Sequence, residues 1–428
     1  MKKSKLLVLG LLPLLLASCN ATNGEAEVDE EGNAIVKVLF HVDSKSKEGM
    51  AYKKLVDGFN REYASEKIKA SATFKTRTAG GADYQAQLIS AKLDDALADV
   101  ITFDAPNCSS YAEAGLLHDI TDEMTSEELD DFISVNTYQE RIYGLPIQES
   151  SAGFYYNKAL FAQAGIDVSG YTVENPWTFD EFKAACAKLL AIGKTPVDMR
   201  LNATKDETAT YLLYPFIHAA GGSFVSKDGL TCEGYLNSEA SIKGFQFFKD
   251  LVNANYTSYS VGDNDFVTGK AAMYLSSGWT IPELDNNYPE MFPNRDSWGL
   301  LPYPKDVNRA SATGSWSYAV TNNHIQDKTN AIKLIKYLTK AESTTTVTNA
   351  TGMIPSRLSC NPQYAANSPE AVLFEQLKQT GIARPETVGY PEFSTNFRNI
   401  IYKLKDGNVR EVVNQQTANL QSELNEYK

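Results

Sequence analysis

Two tryptophans stand where the local pattern offers a flat ring to an incoming molecule. Trp279 follows the strand-like run Met273-Tyr-Leu-Ser-Ser-Gly278, and Trp316 lies in Gly314-Ser-Trp-Ser-Tyr-Ala-Val320; each is close to a glycine that lets a ligand approach the backbone. The chain is rich in rings, with 23 Tyr, 19 Phe and 4 Trp, and several fall in predicted loops. Exposed rings stack on the C–H faces of sugars, whose hydroxyls in turn need the planar donors and acceptors of Asp, Glu, Asn and Arg. The competing assignment for any tryptophan is the core, and Trp177 and Trp298 are read that way.

Other chemistries find less support. Carboxylates are so abundant that a glycosidase pair could be assembled from any two, which discriminates nothing. The chain has no G-x-S-x-G elbow, Walker loop or G-x-G-x-x-G. His41, His118, His218 and His324 are far apart and lack H-E-x-x-H spacing, so no zinc site is expected. A calcium ion on the loop Asp263 to Asp265 stays open, with solvated turn residues as the simpler reading. Cys108, Cys186, Cys232 and Cys360 form no C-x-x-C pair and read as buried free thiols, although two disulfides stay possible. The net charge of −13 argues against nucleic acid, which needs concentrated Lys and Arg. Binding therefore outranks catalysis, and no cofactor is expected.

The elements that must position these residues alternate. Ala34-Ile-Val-Lys-Val-Leu-Phe40 reads as a buried strand, Ala51 to Tyr63 as a helix, Ile68 to Phe74 as a second strand and Tyr84 to Leu97 as a helix with Leu88, Leu93 and Leu97 near one face. Asp99 to Asp104 is a third strand. Alternation of this kind predicts a parallel-type α/β sheet, with ligands at the carboxyl ends of strands. Gly153 to Asn157 reads as a strand leading into a helix over Ala159 to Ala164. Thr178 and Glu181 form a capping box for a helix that stops at Gly193. Further helices are expected at Thr208 to Ala219, Ser238 to Ala254, Lys328 to Ala341, Pro369 to Thr380 and from Thr395 onward with a break at Gly407. Thr344 to Thr346 reads as a helix end, and Gly80-Gly81 as a turn. With about 410 residues after the first eighteen, the chain exceeds the usual limit of one core, roughly 250 to 300 residues, so two lobes are expected.

The amino terminus supplies an address. Lys2, Lys3 and Lys5 precede an apolar run from Leu6 to Leu16 that is too short for a span of about 20 residues, and Ala17-Ser18-Cys19 completes a lipobox-like cleavage site. Residues 1–18 read as a signal peptide. Cys19 is the expected lipidation site, with acyl chains holding the protein at the membrane. The polar, acidic stretch Asn20 to Asn33 reads as a flexible tether.

In order as well as type, these pieces resemble the extracellular solute-binding lipoproteins of bacterial ABC importers, in the cluster that includes maltose- and other oligosaccharide-binding proteins. The matching stretches are Asp99-Val-Ile-Thr-Phe-Asp104 followed by Tyr111-Ala-Glu-Ala-Gly-Leu-Leu117; Tyr143-Gly-Leu-Pro146 with Tyr156-Asn-Lys158; Trp177-Thr-Phe-Asp-Glu-Phe182; Gly269-Lys-Ala-Ala-Met273 with Gly278-Trp279; Ile354-Pro-Ser356; and Ala383-Arg-Pro385 with Tyr390-Pro391. The resemblance implies an α/β, two-lobe periplasmic-binding-protein-like fold with a cleft between lobes and hinge crossings. Residues 34–148 plus 314–366 would form lobe one, and 149–313 plus 367–428 lobe two. It places Asp104 and Asn107, Glu149 and Ser150, Trp279, Arg384 and Tyr390 at the cleft, with Trp316 as a second platform on a crossing segment. It also implies a carbohydrate ligand, ABC permease subunits as partners, membrane contact through the lipid anchor at the outer face of the cell membrane, and a monomer. Polyamines, phosphate esters or peptides as ligands, or a surface carbohydrate-cleaving enzyme, are the alternatives.

Overall fold

The computed structural model describes residues 24–77, 82–203, 206–314 and 316–428. The signal peptide, Cys19 and the Gly80-Gly81 turn expected from the sequence lie outside them.

Two mixed sheets organise the chain. The first has six strands in the order Ile68–Phe74, Ala34–Phe40, Val100–Asp104, Trp316–Val320, Arg141–Pro146 and Asn136–Tyr138. Its first three strands are parallel, as the alternation predicts. Trp316–Val320 instead enters antiparallel, with Trp316 opposite Asp104, because the chain returns here from the other lobe rather than through a crossover helix. The second sheet has four strands in the order Trp298–Leu301, Ala152–Asn157, Ala271–Ser277 and Thr195–Asp198.

Two short strand pairs stand apart from these sheets: Ile354–Pro355 with Gln148–Glu149, and Ser311–Ala312 with Gly381–Ile382. Around the first sheet a core gathers Phe40, Tyr52, Phe59 and Tyr318. The larger core of the second lobe contains Phe154, Phe182, Phe216 and Phe247, and the carboxyl-terminal helices add Phe393, Phe397, Leu420 and Leu424 to it. Trp177 belongs to this core, and Trp298 is buried beside Tyr155.

The capping box forms as read. Thr178 accepts from the Glu181 N–H, and Glu181 returns the bond to the Thr178 N–H, opening the helix Phe179–Ala191. Four local expectations need correction. Leu93 is 81% exposed at the end of the helix Ala82–Leu93, while Leu88 is buried: five residues turn an α-helix about 500°, so the two point in different directions. Leu97 is buried but lies past that helix. Thr344 to Thr346 sit inside the helix Ala341–Thr351, where the Thr345 and Thr346 hydroxyls donate to carbonyls one turn back and so satisfy themselves. Gly24 to Asn33 is not a free tether. The Ile35 N–H donates to the Glu27 carbonyl, the Gln326 N–H donates to Gly24, and Asp29 pairs with Lys69, so this stretch lies along the edge of lobe one.

Cys108, Cys186 and Cys232 are buried free thiols; Cys360 is also free but half-buried. Among the described residues no helix is long and apolar enough to cross a membrane.

Candidate functional site

A cavity of about 310 Å³ lies between the lobes. Lobe one contributes residues from the carboxyl ends of its three parallel strands: His41 directly after Ala34–Phe40, Arg77 shortly after Ile68–Phe74, and Asp104 at the end of Val100–Asp104. Lobe two contributes Glu207, Thr208 and Tyr211 from the start of the helix Glu207–Ala219, and Trp279, which follows the strand Ala271–Ser277. The crossing segments add Gln148, Ser150, Gly314 and Arg384.

The two indoles differ in availability. Trp279 is 38% exposed and stands 6.0 Å from the Tyr211 ring, which leaves room for a ring to stack against it. Trp316 is half-buried and clad. The His41 imidazole lies parallel to it at 3.6 Å, filling one face, so the Arg77 guanidinium 4.8 Å from its centroid covers the other. Burial drives the His41 pKa well below 6.5, so the ring under Trp316 is neutral, and its Nδ1 is 2.9 Å from the Thr102 hydroxyl. Glu48 takes a hydrogen bond of 2.7 Å from the Tyr52 hydroxyl, while burial raises its pKa.

Arg384 forms the electrostatic centre. Its Nη1 and Nη2 donate to Asp104 at 2.9 and 2.7 Å, and Nη1 also donates to Glu207 at 2.8 Å. This fork spans the lobes, joining a strand end of the first to a helix start of the second. Burial opposes the guanidinium charge, but Asp104, Tyr390 and Glu207 outweigh it and hold the pKa well above the ordinary arginine value. Tyr390 and Ser394 hydroxyls donate to Glu207 from behind. The Ser150 hydroxyl is 2.6 Å from that of Tyr211 and also donates to the Gly314 carbonyl.

Of the eight residues expected at the cleft, Asp104, Ser150, Trp279, Trp316 and Arg384 line this cavity. The structure turns the other three elsewhere. Asn107 is buried in the loop after Asp104, accepting from the Gln85 amide and donating to the Asp104 carbonyl, so it braces the loop. Glu149 faces the opposite side of its crossing strand: alternation points Gln148 and Ser150 at the cleft and Glu149 away, where it accepts from Ser134 at 2.7 Å. Burial pushes the Glu149 carboxyl up to about 7. Tyr390 is buried behind Glu207.

Sequence reasoning missed His41, Glu48, Arg77, Gln148, Glu207 and Tyr211. His41 and Arg77 obey the strand-end rule already applied to Asp104 and could have been found by it. Nothing local marks Glu207 or Tyr211. In the loop considered for calcium, Asp263 pairs with Arg200 and Asp265 accepts from the Gly262 N–H. Among the described residues no cluster of three or more His, Cys, Asp or Glu could hold a metal ion.

Comparison with known proteins places this geometry. A binding protein of Brucella abortus (strain 2308) is 27% identical over 288 residues, covering 64% of this chain; the chain spans 66% of that relative's length, just under two thirds. The multiple sugar-binding protein of Streptococcus mutans serotype c is 23% identical over 365 residues, covering 78% of both chains. The crystal structure of the cyclic α-maltosyl-1,6-maltose binding protein from Arthrobacter globiformis superposes with a TM-score of 0.77 at 23% identity, covering 92% of this chain and 99% of that one, which shows a shared two-lobe fold. The bacterial extracellular solute-binding protein family matches residues 54–372, three quarters of the sequence, and the chain belongs to that family.

Proposed function

We propose that the protein captures a carbohydrate in the cleft and delivers it to an ABC permease, held at the outer face of the cell membrane by a lipid on Cys19. The observation that carries this reading is the open Trp279 indole in a cavity that also holds charged and polar side chains, Asp104, Ser150, Glu207 and Arg384 among them, from both lobes. An apolar ring face beside fixed donors and acceptors suits a sugar, which offers C–H patches and hydroxyls together. The names of the Streptococcus mutans and Arthrobacter globiformis relatives support the same class of ligand. A sugar that touches both lobes favours the closed arrangement by its differential affinity for that state, and closure signals occupancy. No turnover is part of this reading: the bound sugar leaves unchanged.

A thermal-shift screen against mono- and oligosaccharides tests it. At 100 times its dissociation constant a ligand adds about 2.7 kcal/mol of stability. With the sugar so identified, Trp279→Ala weakens binding at least about tenfold, or some 1.4 kcal/mol, without unfolding the protein. An unchanged dissociation constant by calorimetry removes Trp279 from the site, and reducing sugar released by the pure protein overturns the non-catalytic reading.

A further inference from the structure

Lobe one has a pole opposite the cleft. Its three parallel strands present their carboxyl ends to the cavity, and their amino ends lie about 20 Å away across Ala34–Phe40, at roughly 3.3 Å per residue. Three stretches of chain meet at those amino ends. The segment Gly24 to Asn33 runs into Ala34; Asp29 accepts from the backbone N–H groups of Glu31 and Asn33 to shape its turn, and the Gln326 N–H donates to the Gly24 carbonyl. Asn322 to Gln326 follows the end of Trp316–Val320, where Val320 stands opposite Val100. The helix Ala82–Leu93 brings its last turn here because it leads to the amino end of Val100–Asp104: Lys92 donates to the Asn322 carbonyl at 2.7 Å, and Asp95 lies 3.6 Å from the His324 ring.

This pole carries apolar side chains that the fold leaves in water. Leu93 is the most exposed large apolar residue among the described ones, at 81%, and Ile89, one turn earlier on the same face of the helix, is 54% exposed. Val28, on the amino-terminal segment, is 60% exposed. Single exposed apolar residues are ordinary, whereas a pair on one helix face with a third at the same end of a lobe is the form a contact surface takes. The course of the chain says what covers it. Only Asn20 to Asn23 separate Cys19 from Gly24, a reach of at most about 18 Å. A lobe of this size is roughly 40 Å across, so with a lipid on Cys19 the tether is too short for the opposite end of the lobe to meet the bilayer instead.

We propose that the amino-end pole of lobe one is a lipid-contact surface, with Ile89 and Leu93 resting in the headgroup boundary of the bilayer that holds the Cys19 anchor. The inference rests on that anchor and goes beyond it. Acyl chains supply proximity; the apolar pair supplies a seat, which fixes lobe one as the membrane-facing lobe and holds the cleft at the far end of it, clear of the lipid. Glu25, Glu30 and Glu31 on the adjoining segment are repelled by anionic headgroups, so apolar contact rather than charge draws this face to the bilayer.

The protein purified from membranes and reconstituted into phosphatidylcholine vesicles with a nitroxide-headgroup lipid tests the seat. A fluorophore is attached at Asp94→Cys, beside Leu93, or at Tyr402→Cys, exposed on lobe two, with Cys360→Ser in both. Quenching at least about twofold stronger at position 94 than at 402 is expected, and Ile89→Ser combined with Leu93→Ser should reduce it at 94. Equal quenching at the two positions, or quenching at 94 indifferent to the serine pair, overturns the seat and leaves the anchor standing. Mass spectrometry reads the anchor separately, and a chain without acyl groups on Cys19 overturns both. Neither readout depends on what the cleft binds.

Discussion

Glu149 shows how one buried side chain couples stability to pH. Burial lifts its carboxyl from 4.5 to about 7 in the folded protein, so the folded state holds its proton more tightly than the unfolded chain. The stability this contributes is fully present below pH 4.5 and is lost as pH rises through 7, by about 3 kcal/mol for a shift of this size. Asp198, which burial raises to about 6, acts in the same direction. His218 acts oppositely: burial lowers it to about 4, and its contribution disappears as pH falls from 6.5 through 4. Urea melts at pH 5 and pH 8 should therefore show Glu149→Gln gaining on the parent protein at pH 8 and the gap closing at pH 5. A constant difference between the two would mean that Glu149 ionises in the fold as it does in water.

At the scale of elements, the direction of Trp279 depends on a close approach between two glycines. The helix Ala341–Thr351 ends at Gly352 in the left-handed region, φ 73°, and a Cβ there would lie 2.7 Å from the Gly278 carbonyl oxygen. A Cβ on Gly278 would in turn lie 2.5 Å from the Gly352 oxygen. The end of a lobe-one helix thus packs directly on the backbone that presents the indole. Gly352→Ala combines the cost of a left-handed alanine with this clash, so a loss on the order of 1–3 kcal/mol is expected in urea unfolding. Weaker sugar binding should accompany it, because Gly278 must shift and Trp279 with it. Unaltered affinity would show that the indole is oriented independently of the helix end.

Over the whole molecule, the lobes are tied by the Arg384 fork as well as by chain crossings. Arg384→Met leaves the half-buried Asp104 and Glu207 without their cation, a loss of roughly 1–3 kcal/mol, and removes a contact between lobes. Urea unfolding should register the loss, and solution scattering a larger radius of gyration. Unchanged stability would mean that the two carboxylates find other partners. The sequence by itself determined what depends on near neighbours: the strand and helix alternation, the Thr178 capping box, the core places of Trp177 and Trp298, and Asp104 at a strand end. The tight periods of strands and helices write such features into runs of ten residues or so. Glu149 was expected at the cleft only through the family resemblance, and the side it faces follows from the alternation of its strand, which no local pattern sets. Only the tertiary structure decided that Trp279 is open while His41 and Arg77 enclose Trp316, and that Arg384 joins Asp104 to Glu207 across 280 and 177 positions of chain. Contacts at that separation arise from how two lobes pack, and the packing of lobes leaves no periodic trace in sequence.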